Sequence, residues 1–322
     1  MQVSVEKTTY RPDIDGLRAI AVLSVILFHI DKRLIPGGFV GVDIFFVISG
    51  FLISLHILQE IEAGQFSIVE FYRRRVKRIA PPMLVVVLIT LIAAQFLFFF
   101  EDAERAADSA LWSLVSLANV YFWWHQDTSY FSAASSELPL LHLWSLGVEE
   151  QFYIIWPIVL LLVYRKPYSK LFIVLTALVA MASYAAGQYW FASHSSFVYY
   201  MLPTRAGELL IGALVAVGVL RGVENRVSAF AAVATGGVGL TLIVGSLFLL
   251  NEEMVFPGLL AVPPTLGAAM LILAGHCARN RISALLTVKP LLWVGLVSYS
   301  AYLWHWPILA FIRYGYGEVG LI

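Results

Sequence analysis

"RPDIDGLRAIAVLSVILFHI", residues 11–30, has the length and apolar run of a membrane helix, yet it carries Arg18 near one end and His29 near the other. A span needs about 20 largely apolar residues, and an ionisable group within it is expensive unless it faces a bundle interior or water. Eleven residues along an α-helix advance the azimuth by about 1100°, roughly 20° after whole turns, and the axis by about 16 Å. Arg18 and His29 are therefore expected on one face, about three turns apart. In one reading Arg18 snorkels to the headgroups and His29 sits at the opposite interface. In the other, the pair lines a shared polar path through the bundle. Histidine suits the second reading, because it exchanges protons near neutral pH.

The remainder of the chain is as apolar as this stretch. Of 322 residues, 60% are hydrophobic and 13% charged, with a mean hydropathy of +0.82. A soluble domain holds about 25% charged residues, so most of this chain must face lipid or pack against segments that do. Lys and Arg total 21 and Asp and Glu total 21, a balance that speaks against a nucleic-acid partner. A single cysteine, Cys277, excludes an intrachain disulfide and a cysteine metal cluster, and no metal is expected. The first apolar stretch lacks a small-x-small exit site and runs into Asp31, Lys32 and Arg33, unlike a cleavable signal.

Candidate spans fall at 13–31, 38–58, 82–100, 108–125, 142–164, 170–191, 204–220, 228–250, 262–277 and 291–313. Short linkers join them, so the fold class is all-α: one polytopic transmembrane bundle, residues 1–322, of about 9–10 spans. The basic stretch "FYRRRVKRIAPP" (71–82) reads as a cytoplasmic linker by the positive-inside rule, which places the N-terminus inside as well. Treating 108–125 as re-entrant or interfacial puts the other basic linkers, at 164–170, 221–226 and 276–289, in the cytoplasm too. The acidic segments 101–108 and 251–254 then lie outside, and nine crossings leave 313–322 outside.

Several clusters could carry chemistry. "GGFVGVDIFFVISGFLIS" (37–54) holds small residues for close helix packing, with Asp43 as a buried acid. Arg74, Arg75 and Arg78 in the basic stretch serve either as a topogenic signal or as a phosphate clamp, since guanidinium forks bind phosphate oxygens in pairs. "LPLLHLWSLGVEEQFYIIWP" (138–157) places His142 and Glu149 seven residues apart on one helical face, with Glu150 beside them. These acids either pair with Arg18 or Arg205 as structure or take part in catalysis. "FVYYMLPTRAGELL" (197–210) brings Tyr199, Tyr200 and Arg205 to a helix end, and "WHWP" (304–307) sets His305 between two tryptophans, a setting that is usually structural.

Taken together these motifs resemble the acyltransferase-3 family of bacterial membrane proteins over essentially the whole chain. The family's Arg-x10-His pattern matches Arg18 and His29, its FFxxSG pattern Phe45, Phe46, Ser49 and Gly50, and its RRxxRxxP pattern Arg74, Arg75, Arg78 and Pro81. The resemblance implies an O-acyltransferase that draws on cytoplasmic acetyl-CoA. Its acceptor would be a cell-surface glycan such as O-antigen lipopolysaccharide, and its place a bacterial inner membrane. It makes His29 and Arg18 the transfer residues, with Glu149 and His142 orienting them, and puts acetyl-CoA against Arg74, Arg75, Arg78, Arg18 and Ser49. Asp43, Glu150, Arg205 and His305 would be supporting groups. "VYYMLPTR" is similar to a stretch of peptidoglycan-acetylating relatives in which an outward tyrosine relays the acyl group, which points to Tyr199 or Tyr200. Relatives usually continue with another span, and often with an extracytoplasmic SGNH-type domain, so such a partner is expected. Without the resemblance, a proton-coupled transporter or a lipid-linked-sugar flippase would use the same intramembrane groups.

Overall fold

A computed structural model describes residues 10–125, 130–163, 170–223, 227–277 and 281–317, and it is 84% helical. The opening stretch forms α1 (Pro12–Ile30). Pro12 presets the first helical φ, and Asp13 and Asp15 in the first turn complement the helix dipole. Next come α2 (Gly41–Glu62), α3 (Ile68–Leu97), α4 (Phe100–Leu114), α5 (Ala118–His125), α6 (Ala133–Ser136) and α7 (Leu143–Leu162). Then follow α8 (Lys170–Tyr200), α9 (Leu202–Leu220), α10 (Ala229–Leu249), α11 (Val262–His276), α12 (Arg281–Leu286) and α13 (Lys289–Tyr316).

Among the described residues, seven segments are long and apolar enough to cross a bilayer: Gly38–Glu62, α3, α7, α8, α9, α10 and Leu259–His276. Helices α1 and α13 are as long, at 19 and 28 residues, but too polar to qualify. They pack along each other, with His305, Trp306 and Ala310 of α13 buried and Trp293, Leu296 and Ile308 exposed. With these two added to the seven, the count is nine, as the hydropathy reading expects.

Two boundaries differ from expectation. The basic stretch 71–82 is not a linker, because α3 begins at Ile68 and runs through it, Pro81 and Pro82 included. The Ser67 hydroxyl accepts from the Glu70 backbone N–H (3.4 Å), which caps a helix whose charged first turns extend the apolar span. Residues 108–125 are not one helix either. The chain breaks after Leu114, where Ser116 takes a positive φ of 63°, and α5 starts afresh at Ala118. A further break lies inside α8, where His194 leaves helical geometry (φ −145°, ψ 51°) and sets off the last turns bearing Tyr199 and Tyr200.

Close backbone crossings hold the bundle together. A Cβ on Gly50 would lie 1.9 Å from the Leu209 carbonyl oxygen, and one on Gly212 would lie 2.1 Å from that of Val47. Helices α2 and α9 touch there only because neither residue has a side chain. Apolar side chains such as Leu88, Ile92, Leu175, Leu178 and Leu296 remain exposed, as lipid-facing positions require.

The bundle has two distinct ends. At one, Arg11 Nη1 meets His276 Nδ1 (2.8 Å), and a groove is lined by Tyr10, Arg11, His56, Arg74, Arg75 and Arg78. At the other, Lys32 pairs with Glu252, and the Tyr314 hydroxyl donates to Asp102 (2.7 Å). The acidic segments thus share an end with His29, opposite the arginine-rich one. Residues 164–169, 224–226 and 278–280 of the other basic linkers lie outside the described residues.

Candidate active site

Arg18 opens into a cavity at the basic end, together with Phe45, Ser49, Arg75, Arg78, Glu149 and Tyr302. The cavity encloses about 840 Å³, its open mouth included. Five helices build it. Arg18 comes from α1, Ser49 from α2, Arg75 and Arg78 from consecutive turns of α3, Glu149 from α7 and Tyr302 from α13. The Arg18 guanidinium is 3.5 Å from Asp15, and its buried Nε has no hydrogen-bond partner among the described residues. Glu149 accepts from the Ser49 hydroxyl (3.0 Å) and the Tyr153 hydroxyl (2.8 Å). Arg75 lies over the rings of Phe71 and Tyr153. Three arginines therefore surround a space that contains one carboxylate, an arrangement that favours an anionic guest.

Arg74 points elsewhere. It binds both oxygens of Glu60 (2.8 and 2.9 Å) and lines the adjoining groove with Arg11 and His56. Arg75, Arg78 and Leu52 line both spaces, which makes the groove continuous with the Arg18 cavity.

His29 belongs to a second cavity, at the opposite end. Its lining includes Asp31, Lys32, Arg33, Tyr130, Phe131, Glu252, Trp306 and Arg313. The His29 ring is buried among polar partners: Nε2 lies 3.0 Å from the Tyr130 hydroxyl and Nδ1 lies 3.0 Å from His305 Nε2. Its backbone carbonyl accepts from Arg313, whose guanidinium also covers the Trp306 ring. Arg18 shares its cavity with Ser298, Tyr299 and Tyr302 of α13, and His29 meets His305 and Arg313 further along the same helix.

Only a thin layer separates the two cavities. Tyr302 lines the first, and its hydroxyl bonds Ser145 (2.7 Å) and the His142 carbonyl (3.0 Å). The Tyr302 backbone carbonyl accepts from His305 Nδ1 (2.5 Å), and His305 reaches His29 in the second. The His142 ring stands 5.9 Å from that of His305, at a steep angle. His142 and Glu149 therefore part company: Glu149 joins Arg18, whereas His142 belongs to the layer between the cavities. Glu150 is half-buried, outside the lining of either cavity.

Arg205 forms a different cluster. Its Nη1 lies 3.4 Å from Asp43 and 3.3 Å from Glu208, all three buried, under the rings of Phe46, Trp144, Tyr199 and Phe256. This assigns Asp43 and Arg205 to the packing of α2 on α9. Tyr199 and Tyr200 are buried beside it and are not part of the lining of the His29 cavity. Tyr199 stacks on Tyr130 at 4.4 Å, and it is Tyr130 that reaches that cavity.

Four residues of these sites escape the sequence reading: Tyr130, Tyr302, Arg313 and Tyr153. Tyr130 stands in a non-helical stretch without a periodic pattern. The others look like interfacial aromatic or basic residues until the tertiary contacts are known. Arg313 alone leaves a signal, a cation one turn short of the end of α13.

A family model described as an acyltransferase domain matches residues 11–322. The chain is 36% identical over 311 residues to the peptidoglycan O-acetyltransferase OatA of Listeria monocytogenes, covering 93% of this chain and 49% of that protein. It is 35% identical over 312 residues to "Putative peptidoglycan O-acetyltransferase YrhL" of Bacillus subtilis, with the same coverages of 93% and 49%. A Staphylococcus aureus protein named as a "Putative O-acetyltransferase" is 31% identical over 320 residues, 96% of this chain and 52% of its own length. The chain thus spans about half the length of these relatives. No solved structure matches it.

Proposed function

This chain belongs to the acyltransferase-3 family, and from that premise we propose that it moves an acetyl group from cytoplasmic acetyl-CoA to a hydroxyl of an extracytoplasmic glycan. The carrying observation is the pair of cavities at opposite ends of one bundle, each bearing ionisable side chains and joined through Tyr302, His305 and His29. The arginine-rich end faces the cytoplasm by the positive-inside rule, in a bacterial plasma membrane. Acetyl-CoA fits that end on two counts: the arginines at the mouth match its phosphates, and the orphaned Arg18 Nε offers a donor deeper in. Arg11, Arg74 and His56 in the groove would hold the nucleotide, and Arg75 and Arg78 the chain of phosphates. Acetyl-CoA supplies the activated acyl group. Arg18, Ser49 and Glu149 orient what enters the cavity.

At the other end, His29 serves as the general base: it takes the proton of an acceptor hydroxyl in the outer cavity as that oxygen bonds the acetyl carbon. The C–S bond of the thioester breaks, and the proton goes to the departing CoA thiolate. Two relatives are named for peptidoglycan, which makes that glycan the acceptor to test before O-antigen or other lipopolysaccharide. An SGNH-type partner outside the membrane would complete delivery. The test is release of free CoA from acetyl-CoA by the purified chain in liposomes supplied with soluble peptidoglycan fragments on the His29 side, wild type against His29→Ala. Release that falls by at least about 1,000-fold in the variant supports the reading. Substrate flux without thioester cleavage would replace it with the transporter or flippase.

A further inference from the structure

The hydrogen bonds around His29 have a direction that their chemistry dictates. His305 Nδ1 lies 2.5 Å from the Tyr302 carbonyl oxygen. A carbonyl only accepts, so this nitrogen carries a hydrogen. In a neutral imidazole the other nitrogen then holds a bare lone pair. His305 Nε2 is therefore the acceptor in its 3.0 Å contact with His29, and His29 Nδ1 is the donor. That leaves the lone pair of His29 on Nε2, where the Tyr130 hydroxyl donates into it at 3.0 Å.

The alternative requires an imidazolium in the pair. Of the cavity's carboxylates, Asp31 pairs with Arg33 and Glu252 with Lys32. The ionisable groups against the two rings are Arg313 on the His29 carbonyl, His142 and Tyr302 beside the His305 ring, and Tyr130. None is an anion. Both rings are also buried, at 6% and 8% exposure, and an uncompensated charge there is costly. The neutral chain is the arrangement in which every contact has one donor and one acceptor.

We infer that His305 is a positioning residue: anchored on the Tyr302 carbonyl, it holds His29 in the Nδ1–H tautomer. The Nε2 lone pair then lies on the side of Tyr130 and the outer cavity, where an acceptor hydroxyl would take the place of the Tyr130 hydroxyl. This rests on the proposed role of His29 as base. The logic is that of a buried orienting group behind a catalytic imidazole, where the wrong tautomer lowers turnover by about 10,000-fold with the geometry intact. Here a second histidine and a main-chain carbonyl do what a carboxylate does elsewhere, without adding a charge to the membrane interior.

The test is nitrogen NMR on the chain labelled at its seven histidines, in nanodiscs, with His29→Ala identifying the signal. Wild type is expected to show His29 protonated on Nδ1. His305→Ala should transfer that proton to Nε2 and lower CoA release by at least about 100-fold. His305→Gln presents an amide oxygen where Nε2 stood, and should restore both the tautomer and most of the rate. A His29 protonated on Nε2 in wild type overturns the inference, as does an unmoved tautomer in His305→Ala. If His305→Ala does not fold, the wild-type and His305→Gln spectra decide on the same criterion. Retained turnover in His29→Ala would defeat the functional reading instead, and leave the tautomer result to judge the hydrogen-bond direction alone.

Discussion

Arg18 and Arg205 both interrupt apolar helices, and their surroundings are opposite. Arg205 is 1% exposed, has Asp43 and Glu208 within 3.4 Å, and is roofed by four aromatic rings. Arg18 is 24% exposed, has a single carboxylate at 3.5 Å, and borders a cavity beside Arg75 and Arg78. The first charge is neutralised by its own fold and joins α2 to α9. The second is held among other cations in a space large enough for a guest. Both arginines keep buried nitrogens without a hydrogen bond among the described residues, so what separates them is the counter-ions and the cavity. Arg205 has two carboxylates and no open space, whereas Arg18 has one and borders a cavity with two more arginines.

The largest effect expected from breaking this contrast is at Arg205. Arg205→Met leaves two carboxyl groups buried without their cation and should destabilise the fold by about 3–5 kcal/mol. Thermal unfolding in detergent measures it, and adding Asp43→Asn and Glu208→Gln should recover part of the loss. A stable Arg205→Met would erase the distinction. Arg18→Met should instead unfold within about 1 kcal/mol of wild type. Its acetyl-CoA affinity should fall by about 10–100-fold, the worth of a charge-assisted hydrogen bond. Calorimetric titration at two salt concentrations reads this, with a weaker salt dependence in the variant.

Packing gives a smaller and sharper comparison. Gly50→Ala forces apart the α2–α9 crossing that Arg205 also spans, and should cost about 1–3 kcal/mol in the same melting assay. Gly237→Ala faces open space and should be nearly silent. The smallest change is expected from Lys32→Ala. Its pair with Glu252 is exposed, so the loss should stay below about 1 kcal/mol and shrink in salt. A larger loss would give the outer loops a share in holding the His29 cavity shut.

Much of the architecture is legible in the residues, and the exceptions have physical causes. The boundary of α3 was concealed by its charges, because "RRRVKR" reads as loop to any hydropathy window. The Ser67 and Glu70 spacing was the available sign that a helix starts there. The break at Ser116 leaves no such mark, since a positive φ at serine is imposed by packing on either side. In the candidate site, the Arg18–His29 spacing was readable because a single helix carries both. His142 and Glu149 are also seven residues apart, yet only Glu149 lines a cavity, while His142 lies in the layer between the two.

By itself the sequence determined that this chain is a multi-pass helical membrane protein, that α1 carries polar groups toward both ends, and which family it belongs to. Those are properties of composition and of spacing along one helix, where covalent geometry sets the distances. The tertiary structure alone decided that His305 and Tyr130 flank His29, that Arg75 and Arg78 turn toward Arg18 while Arg74 turns to Glu60, and that Asp43 is Arg205's counter-ion. Each of those contacts joins residues from separate elements. In a bundle with few charges, the choice of partner follows from which backbones cross closely, and here glycines such as Gly50, Gly212 and Gly295 permit those crossings.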